Sequence, residues 1–101
     1  MTTVKSFFAT AATHVRQWTV KEVYRLPQSD IDFIEEAIVI PGNYGPSVRC
    51  MRKDGLDTYV SIDVENSKFL MNQHVDLSKA EMVVLSDGRR DVTKIRVGLD
   101  E

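Results

Sequence analysis

Residues 42–63 read GNYGPSVRCMRKDGLDTYVSID, and this stretch decides the predicted fold. A loop rich in glycine and proline leads into alternating side chains, and Asp54-Gly55 is a strong signal for a tight hairpin turn. The stretch therefore predicts two antiparallel strands, at 47–53 and 58–64. Because the same loop and hairpin carry basic residues and two tyrosines, they are also a candidate binding surface.

Short alternating segments continue on both sides of this hairpin. Three further strands are predicted on the same grounds, at 33–40, 81–86 and 91–97. A second Asp-Gly turn at 87–88 joins the last two. Residues 65–80 break the β pattern, and 67–73 are a candidate short helix within that break.

The segment before these strands has helical spacing. Its apolar residues recur every three or four positions, at Val4, Phe7, Phe8, Ala11, Val15 and Trp18. Residues 18–26 are rich in β-branched and aromatic side chains, which favours a strand, although a continued helix fits the same spacing. PQSD at 27–30 breaks whichever element precedes it.

From residue 33 the predicted order is three strands, a connection and two strands. An OB-like five-stranded small barrel has this order, with a helix or loop between its third and fourth strands. The N-terminal helix would be an addition to it. An α+β fold with an antiparallel sheet fits the same elements. We therefore predict a mainly β protein, organised as a single domain over residues 1–101.

The composition excludes several classes of protein. The single cysteine, Cys50, rules out an internal disulfide and fits a reducing compartment, so we expect a cytoplasmic protein of a host or bacterial cell. With only His14 and His74 beside it, the chain has too few soft ligands for a zinc-type metal site. No apolar run approaches the ~20 residues that span a bilayer, so no membrane association is expected.

The chain has no recognisable catalytic motif: no serine elbow, no phosphate-binding glycine loop and no HExxH. Cys50 falls on the apolar face of its predicted strand, where a cysteine usually acts as a small hydrophobe. The glycines of GNYG suit a tight turn better than a phosphate cradle. We therefore expect that the protein is not an enzyme and needs no cofactor.

Strand alternation gives the hairpin an apolar face and an outward face. The apolar face and the last strand predict core positions at Thr58, Val60, Ile62, Val64, Ile95 and Val97. The opposite face and the turns collect basic and aromatic side chains, with Asp63 also expected to point outward. The candidate nucleic-acid-binding residues are Tyr44, Arg49, Met51, Arg52, Lys53, Tyr59, Arg89, Arg90, Lys94 and Arg96.

Such a face suits a single-stranded nucleic acid. Cations neutralise phosphates, and an aromatic ring that stacks on an unpaired base contributes about 1–3 kcal/mol without reading sequence. The net charge of −2 argues against nucleic acid, but the charges fall in blocks. Residues 47–53 hold three basic groups and no acid, and residues 54–65 hold four acids. The alternative is that these blocks neutralise one another on a mixed surface.

The run YGPSVRCMRKDGLDTYVSI at 44–62 resembles the loop and hairpin of small phage-type single-stranded-DNA-binding proteins of OB fold. In both, a Tyr-Gly turn enters a basic strand. The resemblance implies a viral protein that binds single-stranded DNA through the barrel face. The residues that match are Tyr44, Arg49, Arg52, Lys53 and Tyr59. The chain departs from that family in its acidic net charge and in ending GLDE, without a long acidic tail.

A small protein-interaction, regulatory or assembly module is the rival interpretation. Its working surface would be the acidic blocks at 30–36 and 54–65, or the N-terminal apolar stripe docked on a second copy or another protein. That interpretation makes Arg49, Tyr59 and Arg96 dispensable. We predict non-catalytic, sequence-independent binding of single-stranded DNA, with RNA as an alternative ligand and a homo-oligomer as an open assembly state.

Overall fold

The structure is a computed structural model, and it describes residues 17–100. The helix predicted from Val4 to Val15 lies outside the described residues. The described elements are, in chain order, β1 (Thr19–Arg25), α1 (Gln28–Phe33), β2 (Ile34–Gly42), β3 (Gly45–Arg52), β4 (Asp57–Ser61), a 3-10 helix (Leu77–Lys79), β5 (Glu81–Ser86) and β6 (Asp91–Arg96). None of the helices in this part of the chain is long and apolar enough to cross a membrane.

The strands form two antiparallel three-stranded sheets, ordered β2-β3-β4 and β1-β5-β6. Beyond the end of β4 the sheets meet, because Ile62 and Ile95 form a parallel bridge and the Asp63 N–H donates to the Ile95 carbonyl at 2.9 Å. The protein is therefore mainly β, as predicted. The described strands do not close into a barrel, because β5 pairs with β1 on one side and β6 on the other, so β2 cannot join it.

The turns that were predicted from sequence are present. Gly55 and Gly88 have φ angles of +87° and +88°, in the left-handed region that favours glycine. The side chains of Asp54 and Asp87 each accept a hydrogen bond from the backbone N–H two residues further on, at 3.1 Å and 2.8 Å. These local bonds fix the hairpin registers.

At residues 27–33 the sequence predicted the end of the preceding strand but not the helix that follows it. The strand predicted at 18–26 is β1, and it ends before Pro27 as expected. The six residues that follow form α1, which begins directly after that proline. Proline near a helix start is favoured by its fixed φ and missing N–H. The sequence showed the break here and gave no sign of the helix.

The connection after β4 differs from the prediction. Residues 67–73 are not a helix. Instead residues 72–75 run along the second edge of β2, where the Val39 N–H donates to the Gln73 carbonyl at 2.9 Å and the Val75 N–H donates to the Ala37 carbonyl at 3.0 Å. Covering a sheet edge satisfies backbone groups that a helix would have left open. The short helix comes later, at Leu77–Lys79.

The core lies between the two sheets. Its buried members are Ala37, Val39, Val48, Cys50, Ile62, Val75, Leu77, Ala80, Met82 and Ile95. Of the predicted core residues, Ile62 and Ile95 are buried, whereas Val60 and Val97 are half-buried. Thr58 and Val64 are exposed, which corrects the prediction. Strand alternation could not place Val64, because β4 ends three residues before it.

Candidate nucleic-acid interface

The outward face of β3 and β4 carries the first predicted pair. The register sets Arg49 directly opposite Tyr59 and Met51 opposite Asp57. Side chains opposite one another on an antiparallel pair lie about 5 Å apart at Cβ, close enough to act together. Tyr59 is 59% exposed, so more than half of the residue is open to solvent. Arg49 and Tyr59 therefore form a cation and an aromatic platform on a single surface.

Asp57 changes the electrostatics of this face. Its Oδ2 accepts from Arg49 Nε at 2.9 Å and lies 2.8 Å from Arg49 Nη2. The hydrogen bond to Asp57, followed by the attraction of its charge, raises the pKa of Arg49 above its ordinary value. Arg49 thus stays charged, but a carboxylate on the same face already neutralises it. Residues 57, 59 and 61 lie on one face of β4, because alternate side chains of a strand point the same way. This alternation could have revealed Asp57 as a partner of Arg49.

On β6, Arg96 also has a carboxylate partner. The parallel bridge between Ile62 and Ile95 aligns Arg96 with Asp63, and Arg96 Nε lies 3.5 Å from Asp63 Oδ2. Asp63 was expected to point outward, but it is 5% exposed and also accepts from Asn66 Nδ2 at 3.1 Å. Burial of a carboxylate requires such partners. The main role of Arg96 is therefore to balance the charge of the buried Asp63 carboxylate.

Several basic side chains of the candidate set keep their charge unpaired within residues 17–100. Lys94 is half-buried on β6, while Lys53 and Arg89 are exposed in turns. No carboxylate of the described residues forms an ion pair with any of them. Arg90 stacks its guanidinium 5.5 Å from the ring centroid of Trp18, which leaves its charge uncancelled.

The turns bracket the outward face. Tyr44 is fully exposed in the β2–β3 turn, which ends at Gly45 with φ +114°. Because β4 and β6 run in the same direction where they meet, the turns that precede them lie at the same end of the sheets. That end carries Lys53, Arg89 and Arg90, opposite the end that carries Tyr44. The face thus has Tyr44 at one end and a cluster of cations at the other, which we call the basic end.

Arg52 does not belong to this surface. Alternation along β3 places it on the same side as Val48 and Cys50, the core side. It pairs there with Asp54 through Nη2, and its guanidinium carbon lies 5.1 Å from the ring centroid of Phe33. The prediction had included Arg52 among the nucleic-acid-binding residues, and the structure separates it from the other candidate cations.

Two residues near the basic end were not anticipated. Trp18 supplies the ring under Arg90, and Lys21 forms a 2.7 Å ion pair with Asp91. The hydrogen bond to Asp91 raises the pKa of Lys21. Both residues reach this end because β1 pairs with β5, with Thr19 opposite Ser86. No local signal in the sequence announces a pairing across so many residues.

Within residues 17–100 the side chains offer no group of three or more His, Cys, Asp or Glu that could hold a metal ion. His74 lies 3.1 Å from Glu36 at the edge of β2, where both side chains are half-exposed. Cys50 is buried, and that burial raises the pKa of its thiol. A buried neutral thiol is a poor nucleophile.

Comparison of the chain with protein-family models, with curated proteins and with solved structures gave no match. The function of the outward face must therefore be inferred from its own residues.

Proposed function

We propose that the protein binds single-stranded DNA without catalysis and without reading sequence, through the outward face of β3, β4 and β6. The observation that carries this proposal is the register pair Arg49–Tyr59, in which an exposed ring and a cation share one surface. Unpaired bases have two open π-faces, and an exposed tyrosine ring offers a flat partner for one of them. A duplex hides these faces, so the single strand is preferred.

Each candidate residue other than Arg52 has a distinct role in this proposal. Tyr59 stacks a base at the centre of the face, and Tyr44 stacks another at its end. Met51 supplies apolar contact beside Arg49. The phosphates meet the cations that are not engaged in ion pairs, namely Lys53, Arg89, Arg90 and Lys94. Arg49 and Arg96 contact a phosphate only when that phosphate displaces the carboxylate of Asp57 or Asp63 from its ion pair.

The arrangement of β2 to β6 supports an OB-like fold. In this fold β1 pairs with the edge of β5 and so prevents β2 from closing the barrel. The support is the order β2-β3-β4 followed by β5-β6, with the end of β4 next to β6. OB folds are partly open five-stranded barrels that bind oligonucleotides on the second and third strands and on the turns after the first and fourth. In this chain those parts are β3, β4, the turn with Tyr44 and the turn with Arg89 and Arg90.

Salt dependence follows from the small number of unpaired cations. Each phosphate neutralised on a single strand contributes about −0.7 to the slope of log K against log salt. Four such contacts give a slope of about −3. The acidic net charge of −2 opposes approach to DNA, so we expect binding to be tightest at low salt.

The test is fluorescence anisotropy of labelled oligo-dT, with a duplex of equal length alongside. The double variant Tyr59→Ala with Arg49→Ala should abolish binding and keep a native circular dichroism spectrum. A control variant, Tyr24→Ala with Lys68→Ala, removes one tyrosine and one positive charge from elsewhere in the described chain. The control should bind like the wild type. Unchanged affinity in a folded Tyr59/Arg49 variant would show that the face is not the binding site.

A second candidate function is a protein-interaction module. Two observations favour it: the ion pairs of Arg49 and Arg96 cancel part of the basic face, and every residue of β1 is exposed at the edge of its sheet. Among them are Val20, Val23 and Tyr24. An exposed strand edge can pair with another chain. No binding of oligo-dT or oligo-U at low salt, together with self-association lost on changes in β1, would favour this function.

A further inference from the structure

The sheet β1-β5-β6 has a group of apolar side chains on the side that points away from the core. Across its three strands, Val20 lies opposite Leu85, and Leu85 lies opposite Val92. Val23 lies opposite Val83 in the same way. Val83 and Leu85 are two positions apart on β5, so both rows are on one face of the sheet. We call these five residues the apolar patch.

Val83 shows that the apolar patch is covered. It is 0% exposed, yet the core cluster of the described residues contains its neighbour Met82 and not Val83. Successive side chains of a strand point to opposite faces, so Val83 points away from the core. Side chains beside it on the same face stand roughly perpendicular to the sheet, as Val83 itself does. Its complete burial therefore requires a group above it.

The burial of the other members locates this cover. Leu85 and Val92 are half-buried, whereas Val20 and Val23 on the edge strand β1 are exposed. The cover is therefore centred on β5. Lys94 lies opposite Val83 on β6 and is half-buried. Its position fits a lysine whose stem is covered while its ammonium group reaches water at the border of the patch.

We propose that the apolar patch is a docking surface for residues 1–16 of the same chain. This segment has apolar side chains at helical spacing, namely Val4, Phe7, Phe8, Ala11 and Val15. A helix over 4–15 would be about 18 Å long, and the six residues of β5 extend over about 20 Å, so the two lengths match.

Two observations favour this occupant over a second copy of the protein. The burial of Val83 is found in a single chain, so it needs no partner. The described residues begin at 17, and β1 of the same sheet begins at Thr19, so residues 1–16 are joined directly to the sheet that they would cover.

Docking gives the segment a role that does not depend on DNA binding. An uncovered group of valine and leucine side chains would favour association with other proteins. Residues 1–16 thus act as an internal cap, which keeps this face of the sheet from other chains.

The experiment measures nuclear Overhauser effects in the full chain. Cross-peaks are expected between the ring protons of Phe7 or Phe8 and the methyl groups of Val83, whose signals are assigned with Val83→Ala. A sample that mixes isotope-labelled and unlabelled chains separates contacts within a chain from contacts between chains. The absence of cross-peaks from this segment to Val83, or cross-peaks only between chains, would overturn the proposal.

A variant of the segment gives a second readout. Phe7→Ser with Phe8→Ser should raise the fluorescence of the dye ANS, which binds exposed apolar surface, and should increase self-association in sedimentation. Tyr44→Ser is the control, because it removes an aromatic ring that is already fully exposed, and it should change neither measurement. Unchanged dye fluorescence in a folded double variant would also overturn the proposal. If the double variant fails to fold, the Overhauser contacts of the wild type still decide.

Discussion

The ion pair between Arg49 and Asp57 predicts that Asp57→Asn strengthens DNA binding. Asp57 holds Arg49 through Nε at 2.9 Å and Nη2 at 2.8 Å, so a phosphate must compete with a carboxylate that is already in place. Asparagine has a similar size and no charge. The substitution removes a negative group from the face and leaves the guanidinium free to contact a phosphate.

The magnitude follows from counting phosphate contacts. One additional contact on a single strand makes the slope of log K against log salt more negative by about 0.7. Between about 50 mM and about 200 mM salt, that change alters the ratio of variant to wild-type affinity by about 2.6-fold. The gain in affinity should therefore be larger at the lower salt concentration, and the two titration lines should converge as salt rises.

The assay is anisotropy of labelled oligo-dT at several salt concentrations, for wild type and Asp57→Asn. Asp32→Asn is the matched control, because it makes the same change in net charge on α1, whose Phe33 contacts Arg52 on the core side of the sheet. There Asp32 accepts from Gln28 at 2.8 Å. The control should leave the slope unchanged. An Asp57→Asn variant that is folded and has the wild-type slope and affinity would refute the role given to Arg49.

Three further predictions follow from the same structure. Ile95→Ala, at a side chain that is 1% exposed, should lower the free energy of unfolding by about 2–5 kcal/mol in urea denaturation, whereas Val64→Ala at 50% exposure should change it little. Tyr44→Ala should weaken oligo-dT binding in the anisotropy assay and leave the urea midpoint unchanged, because its fully exposed ring has no packing to lose. Hydrogen bonds from the Ser78 hydroxyl and N–H hold the pKa of Asp76 below its ordinary 3.8. Since the pKa of Asp76 is lower in the folded state, its stabilisation is complete above pH 3.8 and is lost as the pH falls through the folded pKa. The difference in urea midpoint between wild type and Asp76→Ala should therefore shrink as the pH falls below 3.8. A difference that stays constant over this pH range would contradict the prediction.

The parts of the fold that local chemistry determines were predictable from sequence. Both Asp-Gly turns are where the sequence placed them, and β5 has the predicted bounds of Glu81–Ser86. The strand prediction for 18–26 was confirmed by β1. These elements depend on turn residues and β-branched side chains, which act over a few positions along the chain.

The parts that depend on distant contacts were not predictable. Residues 67–73 were predicted as a candidate short helix, but residues 72–75 are held by hydrogen bonds to the edge of β2. β1 takes the edge of β5 that a closed barrel would need for β2. Tertiary pairing of this kind overrides local preference, since each edge must be satisfied somewhere.

The candidate face was partly predictable from alternation. Alternation placed Arg49 with Tyr59, and the structure sets them in register. Applied one step further, it would have placed Arg52 on the core side with Cys50. It could not show that Arg96 is the partner of Asp63, because the two strands meet only through the long-range bridge between Ile62 and Ile95.

The most direct test of the central claim is a map of the binding surface by nuclear magnetic resonance, with unlabelled oligo-dT added to ¹⁵N-labelled protein at low salt. The account predicts that amide shifts change along β3, β4 and β6 and in the turns carrying Tyr44 and Arg89, with α1 unaffected. No shifts at low salt, or shifts confined to α1 and β1, would contradict the assignment of this face to single-stranded DNA.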